Sequence, residues 1–206
     1  MNRYKLGIDE AGRGCVLGPL VMVGLCIDAD QVEQLNSLGV QDSKLFGSSN
    51  KAKRRREELC ATLQHWPHQI EIADVETIDD YVSRGGLNEL EREMATRIIK
   101  GLPKAQVMLD GALMFGPLCN EHIKAENKAD QNHMEVAAAS IIAKHLRDKA
   151  VVETLAPFEA DFGQIKGGGY ANPGTLAFVQ WHHETYGSLP QALRKSYQWQ
   201  AIHHLR

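Results

Sequence analysis

The sequence predicts an α/β protein built on a mixed sheet covered by helices. Two observations predict it. Apolar runs of strand length open the chain as neighbours, at Tyr4 to Ile8 and Leu20 to Ile27. Later strand-like runs alternate with segments of helical periodicity, a pattern that lays helices on the faces of a sheet. The composition agrees. The chain has 206 residues, 43% hydrophobic and 24% charged, which suits an ordinary globular protein with a sizeable core.

Taken in order, Tyr4 to Ile8 reads as a buried strand leading to Asp9. Leu20 to Ile27 is continuous and apolar, the length of a buried strand. Gln41-Asp42-Ser43-Lys44 is expected to be a loop, and Phe46-Gly47-Ser48-Ser49-Asn50 a helix entry. The helix that follows carries Lys51, Lys53, Arg54, Arg55 and Arg56. His68 to Val75 alternates isoleucine with polar residues, as a strand does. Leu87, Leu90, Met94, Ile98 and Leu102 recur at helical spacing. Ala105 to Leu109 is a short strand ending at Asp110-Gly111. Met134 to Val152 is a helix centred on Ala137-Ala138-Ala139-Ser140, small enough to let a neighbour approach closely. Gly167-Gly168-Gly169-Tyr170 is a tight loop. Asn172 and Pro173 then supply an N-cap and a first-turn proline for a helix through His183.

Several function classes are excluded or disfavoured. The first residues are too short and polar for a secretion signal. No apolar stretch approaches the roughly 20 residues that span a bilayer. Cys15, Cys26, Cys60 and Cys119 have no C-x-x-C spacing and are expected to be reduced thiols in a cytoplasmic protein. A net charge of −3 argues against broad, non-specific nucleic-acid binding but is compatible with a nuclease, whose catalytic carboxylates lower the net charge. A monomer is expected.

The chemistry is expected around four acids. Asp9 and Asp110 each follow an apolar strand and precede a glycine-rich turn. Glu10 adjoins Asp9, and Asp130 lies just before the small-residue helix. Crowded carboxylates repel and lose hydration, so they call for a compensating cation. No His/Cys cluster accompanies them, which disfavours zinc. An all-oxygen site favours Mg²⁺ or Mn²⁺. Two such ions would clamp the attacking and leaving oxygens of a phosphoryl displacement. Gly12-Arg13-Gly14 beside them offers bare backbone N–H groups and a guanidinium to an anionic substrate. Neighbouring strand residues point to opposite faces. Asp9 and Glu10 therefore share a site only if the strand ends or twists there, and the Ala-Gly-Arg-Gly that follows suggests an ending.

These residues resemble ribonuclease HII, the type 2 ribonuclease H. The matching stretches are Gly7-Ile8-Asp9-Glu10-Ala11-Gly12-Arg13-Gly14 with Leu17-Gly18-Pro19, Asp42-Ser43-Lys44, Leu109-Asp110-Gly111 and Lys128-Ala129-Asp130. They continue with Ala137-Ala138-Ala139-Ser140-Ile141-Ile142-Ala143-Lys144, Arg147-Asp148, Gly167-Gly168-Gly169-Tyr170 and Arg194-Lys195-Ser196-Tyr197. They fall in family order across nearly the whole chain. The resemblance implies a ribonuclease H-like catalytic domain over residues 1–186, with a small helical C-terminal appendage over 187–206. It implies a four-acid site of Asp9, Glu10, Asp110 and Asp130, holding two Mg²⁺ or Mn²⁺ ions during catalysis. Glu126 is a rival for the last position but lies four residues early. An aspartate at 130 also favours type HII over HIII, where a glutamate is usual.

By resemblance, the activity is endonucleolytic cleavage of RNA in RNA–DNA hybrids, including a cut 5′ of one ribonucleotide embedded in duplex DNA, leaving 3′-hydroxyl and 5′-phosphate ends. This belongs to ribonucleotide removal from DNA. Gly12, Arg13 and Gly14 match the motif that senses the ribose 2′-hydroxyl, the group that separates RNA from DNA. Tyr170 matches the tyrosine that packs on the following deoxyribose. Lys44 and the Lys51 to Arg56 cluster are candidates for phosphate contact. Two departures stand out. Cys15 replaces a usual proline and is expected to loosen the backbone, and Gly168 replaces a common serine. Residues 198–206 lack the aromatic pair of a sliding-clamp motif.

Plainer readings compete at some positions. Asp42 serves a turn as readily as a function. Asp148 fits a structural salt bridge, with Lys144 as the expected partner. The Lys51 to Arg56 run reads first as a solvated helix face. His182, His183, His203 and His204 are expected to be exposed, and Trp66, Trp181 and Trp199 to serve packing. Two other functions remain open: a DNA resolvase on the same fold, which needs no 2′-hydroxyl, and a hybrid-binding module without turnover.

Overall fold

The computed structural model describes residues 4–40 and 49–205. Five strands form one mixed sheet: β1 (Lys5–Ala11), β2 (Leu20–Ile27), β3 (His68–Ala73), β4 (Gln106–Asp110) and β5 (Ile123–Glu126), in the order β3-β2-β1-β4-β5. β1 runs antiparallel to β2 and parallel to β4, and β4 runs parallel to β5. The helices are α1 (Ala29–Ser37), α2 (Asn50–Leu63), α3 (Val75–Ser83), α4 (Leu87–Gly101), α5 (Ala112–Phe115), α6 (Ala129–Asn132), α7 (Met134–Leu155), α8 (Glu159–Phe162) and α9 (Pro173–Tyr186). The predicted mixed α/β architecture is the observed one.

The period of two decides which helix covers which face. β2 is buried along its whole length, so its two side-chain rows meet different partners. Val21, Val23, Leu25 and Ile27 join Leu59 and Leu63 of α2 and Ala137, Ala138, Ile141 and Ile142 of α7 in one cluster. Gly24 faces the other way, against Ile98 of α4. The two strands are antiparallel partners, and Gly7 pairs with Leu25, so Gly7 faces α7. A Cβ on Gly7 would lie 2.2 Å from the backbone carbon of Glu135. Only glycine lets α7 come this close to β1.

The described chain divides into two compact units. The sheet lies in Met1–Ala11, Val21–Ile72 and Asn88–Leu146; the second unit is Gly12–Leu20, Ala73–Leu87 and Arg147–Arg206. The second unit has its own core of Val16, Leu17, Val151, Phe178, Val179 and Ile202. Phe158 and Phe162 pack against Trp181 there, edge-on and tilted, with centroids 6.5 and 5.1 Å away. Asn172 caps α9 as expected, accepting from Thr175 N–H at 3.1 Å. A 3₁₀ helix spans Gln200–Leu205.

Some expectations are corrected. His182 is buried, not exposed: its Nδ1 donates to the Ser188 carbonyl at 2.8 Å and its ring packs on Phe158. Arg56 is also buried within the basic run, whereas Lys51, Lys53 and Arg54 are exposed. Trp66, Trp181 and Trp199 do serve packing. All four cysteines are free thiols. No described helix is long and apolar enough to cross a membrane.

Candidate active site

The parallel ladder between β1 and β4 runs from Lys5↔Gln106 to Ile8↔Leu109 and stops there. The next residue on each strand is an aspartate, so Asp9 and Asp110 emerge side by side where the two strands part. On its other edge β1 stays paired, through Asp9↔Val23, Glu10↔Met22 and Ala11↔Val21. The expected strand ending is therefore one-sided. β1 continues to Ala11 because β2 still pairs with it, and alternation is preserved. Asp9 shares the face of Gly7, toward α7, and Glu10 the face of Leu6 and Ile8.

Asp9, Asp110 and Asp130 each offer a carboxylate oxygen within 4.8 Å of the others. Glu10 is not a member of this group. Of the four predicted acids the structure brings three together and sets the fourth on the opposite face. Glu10 stays close enough for its charge to act on Asp9. The carboxyl of Asp9 is pushed well above the usual range, first by burial, then by Glu10 and Asp110; the Ser140 hydroxyl and the Glu10 N–H, which donates to Asp9 Oδ1 at 2.8 Å, oppose this. Among the described residues neither Asp9 nor Asp110 pairs with a lysine or arginine. Three clustered carboxylates, two of them buried, form an all-oxygen donor set. That set fits a hard divalent cation.

The third acid is held by a strained turn. Lys128 is the one non-glycine described residue with positive φ, at φ 60° and ψ 37°. It starts the single turn α6, and Ala129 N–H then donates to Asp110 Oδ1 at 3.0 Å. That bond ties the end of β4 to the turn carrying Asp130. The rival Glu126 pairs in register with Asp110 on β5, is exposed, and bonds His133, so it lies outside the group. Lys128 is itself exposed. Lys128→Gly is expected to raise stability by up to about 1 kcal/mol by removing the left-handed strain, with no loss of activity. Urea unfolding of the two proteins checks this.

The residues expected to read the substrate lie in the second unit. Gly12 has φ +100°, and a Cβ there would sit 2.6 Å from the Pro19 carbonyl oxygen. This glycine is required by the chain itself. Gly14 is exposed, and a Cβ there would meet nothing within 4 Å. Cys15, expected to loosen the loop, instead closes it. Its N–H donates to the Gly12 carbonyl at 3.1 Å, a bond that proline has no N–H to make.

Tyr170 is 42% exposed. Its hydroxyl accepts from Arg147 Nη2 at 3.0 Å, and the same guanidinium lies 4.9 Å from the ring centroid. Arg147 Nη1 donates to the carbonyl of Gly168. Asp148 does form a salt bridge, with Arg147 at 2.9 Å. Lys44 and Asp42 lie outside the described residues.

Several contributors were missed from sequence. Ser140 stood out only as part of a small-residue stretch, yet its hydroxyl serves Asp9. Arg147 and Arg194 stood in quoted motifs without a role, and both are fully buried. Asp79 carried no signal at all.

Known proteins share the family and the fold. A family model described as Ribonuclease HII matches residues 6–200. A protein of Thermococcus sibiricus named Ribonuclease HII is 34% identical over 203 residues, covering 93% of this chain and 87% of its own. The crystal structure of the ribonuclease H2 from Pyrococcus horikoshii OT3 superposes with a TM-score of 0.78 at 28% identity, covering 98% of this chain and 96% of that one. The ribonuclease in the PCNA:RNase HII complex from Archaeoglobus fulgidus superposes with a TM-score of 0.73 at 32% identity, over 98% and 96% of the two chains.

Proposed function

The chain belongs to the ribonuclease HII family and is a metal-dependent endoribonuclease acting on RNA–DNA hybrids; from that premise we propose that it also cuts 5′ of a single ribonucleotide embedded in duplex DNA, using two Mg²⁺ or Mn²⁺ ions and leaving 3′-hydroxyl and 5′-phosphate ends. The observation that carries the catalytic part is the convergence of Asp9, Asp110 and Asp130 within 4.8 Å. In this reading those three hold the metal, and Glu10, which leaves β1 from the other face, reaches the ions around the edge left open where the ladder with β4 stops. Bound there, divalent ions supply activation of the attacking water and neutralisation of the charge that builds at phosphorus. Ser140 orients the Asp9 carboxylate, and the Ala129 N–H orients that of Asp110.

Gly12, Arg13 and Gly14 read the ribose 2′-hydroxyl in this proposal. Gly14 supports it, because its missing Cβ answers to no neighbour in the chain and leaves room for a ligand. Tyr170 packs on the deoxyribose that follows, its ring braced by Arg147 and partly exposed. Lys44 contacts phosphate, and so do the exposed Lys51, Lys53 and Arg54. The role in the cell is ribonucleotide removal from DNA, in the cytoplasm, by a monomer.

The test is cleavage of a labelled DNA duplex containing one ribonucleotide, with Mg²⁺, with Mn²⁺ and with chelator, beside an all-DNA duplex and a continuous hybrid. A metal-dependent cut 5′ of the ribonucleotide, with the all-DNA control intact, is expected. Cutting of the hybrid alone would refute the single-ribonucleotide reading and leave the nuclease. Cutting of the all-DNA control would favour a resolvase, and cutting of nothing a binding module.

A further inference from the structure

The segment Arg194-Lys195-Ser196-Tyr197 has no part in the reading above, yet it is anchored from both sides. Arg194 is fully buried. Its Nε donates to the Gly18 carbonyl at 3.0 Å, and its Nη1 donates to the Arg13 carbonyl at 3.2 Å and to the Tyr197 hydroxyl at 2.9 Å. The Tyr197 hydroxyl in turn donates to the same Arg13 carbonyl at 2.6 Å. Asp79 on α3 holds the turn from outside, accepting from the N–H groups of Lys195 and Ser196 at 2.9 Å each and from the Ser196 hydroxyl.

Two features of this arrangement exceed what loop anchoring needs. Arg194 makes no ion pair among the described residues, and burial holds its pKa below the usual value. A buried cation with only neutral partners is costly to keep. Second, both donors converge on one carbonyl. No described peptide is cis, and in a trans peptide the carbonyl of one residue and the N–H of the next point in opposite directions. Drawing the Arg13 carbonyl inward therefore turns the Gly14 N–H outward. A charged donor on the carbonyl also polarises that peptide and strengthens its N–H as a donor. Arg13, Gly14, Ser196 and Tyr197 all line one cavity of about 490 Å³.

We propose that Arg194 and Tyr197 are positioning residues that hold the Arg13–Gly14 peptide so that the Gly14 N–H is aimed at the ribose 2′-hydroxyl, and that discrimination of RNA from DNA depends on them. This inference rests on the assignment of Gly12–Gly14 to the 2′-hydroxyl. Asp79 acts one step further back, by fixing the turn that carries both side chains.

The test measures binding in chelator, where turnover does not intrude. The readout is the ratio of Kd for an all-DNA duplex to Kd for the same duplex with one ribonucleotide, in wild type, Tyr197→Phe and Arg194→Lys. Loss of the two part-buried hydrogen bonds of the Tyr197 hydroxyl is expected to lower the ratio about fivefold in Tyr197→Phe, with a melting temperature lowered by only a few degrees. Arg194→Lys keeps the charge and loses the fork, so it is expected to lower the ratio at least as far. A merely structural role would weaken both affinities together and leave the ratio alone. Should Arg194→Lys fail to fold by circular dichroism, Tyr197→Phe decides, since it removes a single oxygen. A wild-type ratio near one refutes the 2′-hydroxyl assignment and this inference with it. A high wild-type ratio retained in the folded variants overturns the positioning role alone.

Discussion

Asp9→Asn is expected to lower the rate of hybrid cleavage by about a thousandfold or more, the loss that follows when about 4 kcal/mol of charge stabilisation at phosphorus is removed. The same substitution is expected to make the metal-free protein more stable. Asp9 is buried beside Glu10 and Asp110, and its carboxyl is raised well above the ordinary range. An acid raised in the folded state binds its proton more tightly there than in the unfolded chain. Its ionisation therefore destabilises the fold as pH climbs from the ordinary carboxylate value through the raised one. Asparagine removes that burden and still accepts from Ser140. In chelator near neutral pH the variant is expected to melt higher, by about 2–4 °C for each kcal/mol relieved, and to gain less on adding Mg²⁺ or Mn²⁺ than wild type does. A variant that melts lower in chelator would refute the account of stored repulsion, and one that cleaves at the wild-type rate would refute the metal assignment.

Gly12→Ala and Gly14→Ala are expected to fail in opposite ways, although only Arg13 separates them in one motif. Alanine at 12 must adopt a left-handed φ and place its methyl against the Pro19 carbonyl, which is expected to cost about 2–4 kcal/mol of stability. Alanine at 14 meets no neighbour, so stability is expected to stay within about 0.5 kcal/mol of wild type. There the loss falls on the substrate. Cleavage at a single embedded ribonucleotide is expected to drop about tenfold in kcat/KM, through obstruction at the sugar. Denaturant melts and steady-state kinetics on the two variants check the pair. Equal stability losses would mean that both glycines serve the fold alone.

Much of this was legible in the sequence because it rests on local pattern. The length of β2 was readable from a continuous apolar run, and the start of α9 from Asn172-Pro173; its end lies at Tyr186, beyond the expected His183. Asp110 was readable as the last residue of a short strand before glycine. The position of Glu10 was not, because it depends on β2 continuing to pair past Asp9, a fact about a neighbouring strand. Helix α1 was missed although Asp28 and Gln31 form a capping box; few of its residues are buried, so it lacks a strong apolar stripe. β5 has four residues and one isoleucine, too little for alternation to register. Arg147 and Arg194 look like surface residues in composition, and only tertiary structure shows the carbonyls they reach. Asp79 meets the Lys195–Ser196 turn across more than half the chain, a distance over which no spacing rule operates.

The parallel pairing of β1 with β4 has a kinetic consequence. Asp9 and Asp110 stand roughly a hundred residues apart along the chain, and closing so large a loop is an entropic cost met before any ligand is rewarded. A cation thus has no assembled set of oxygens to grip until these two strands have zipped to their ends. Added Mg²⁺ or Mn²⁺ would leave the refolding rate nearly unchanged and slow unfolding instead, because the grip is made only after the barrier has been crossed. The site is a late lock on the fold rather than a nucleus for it.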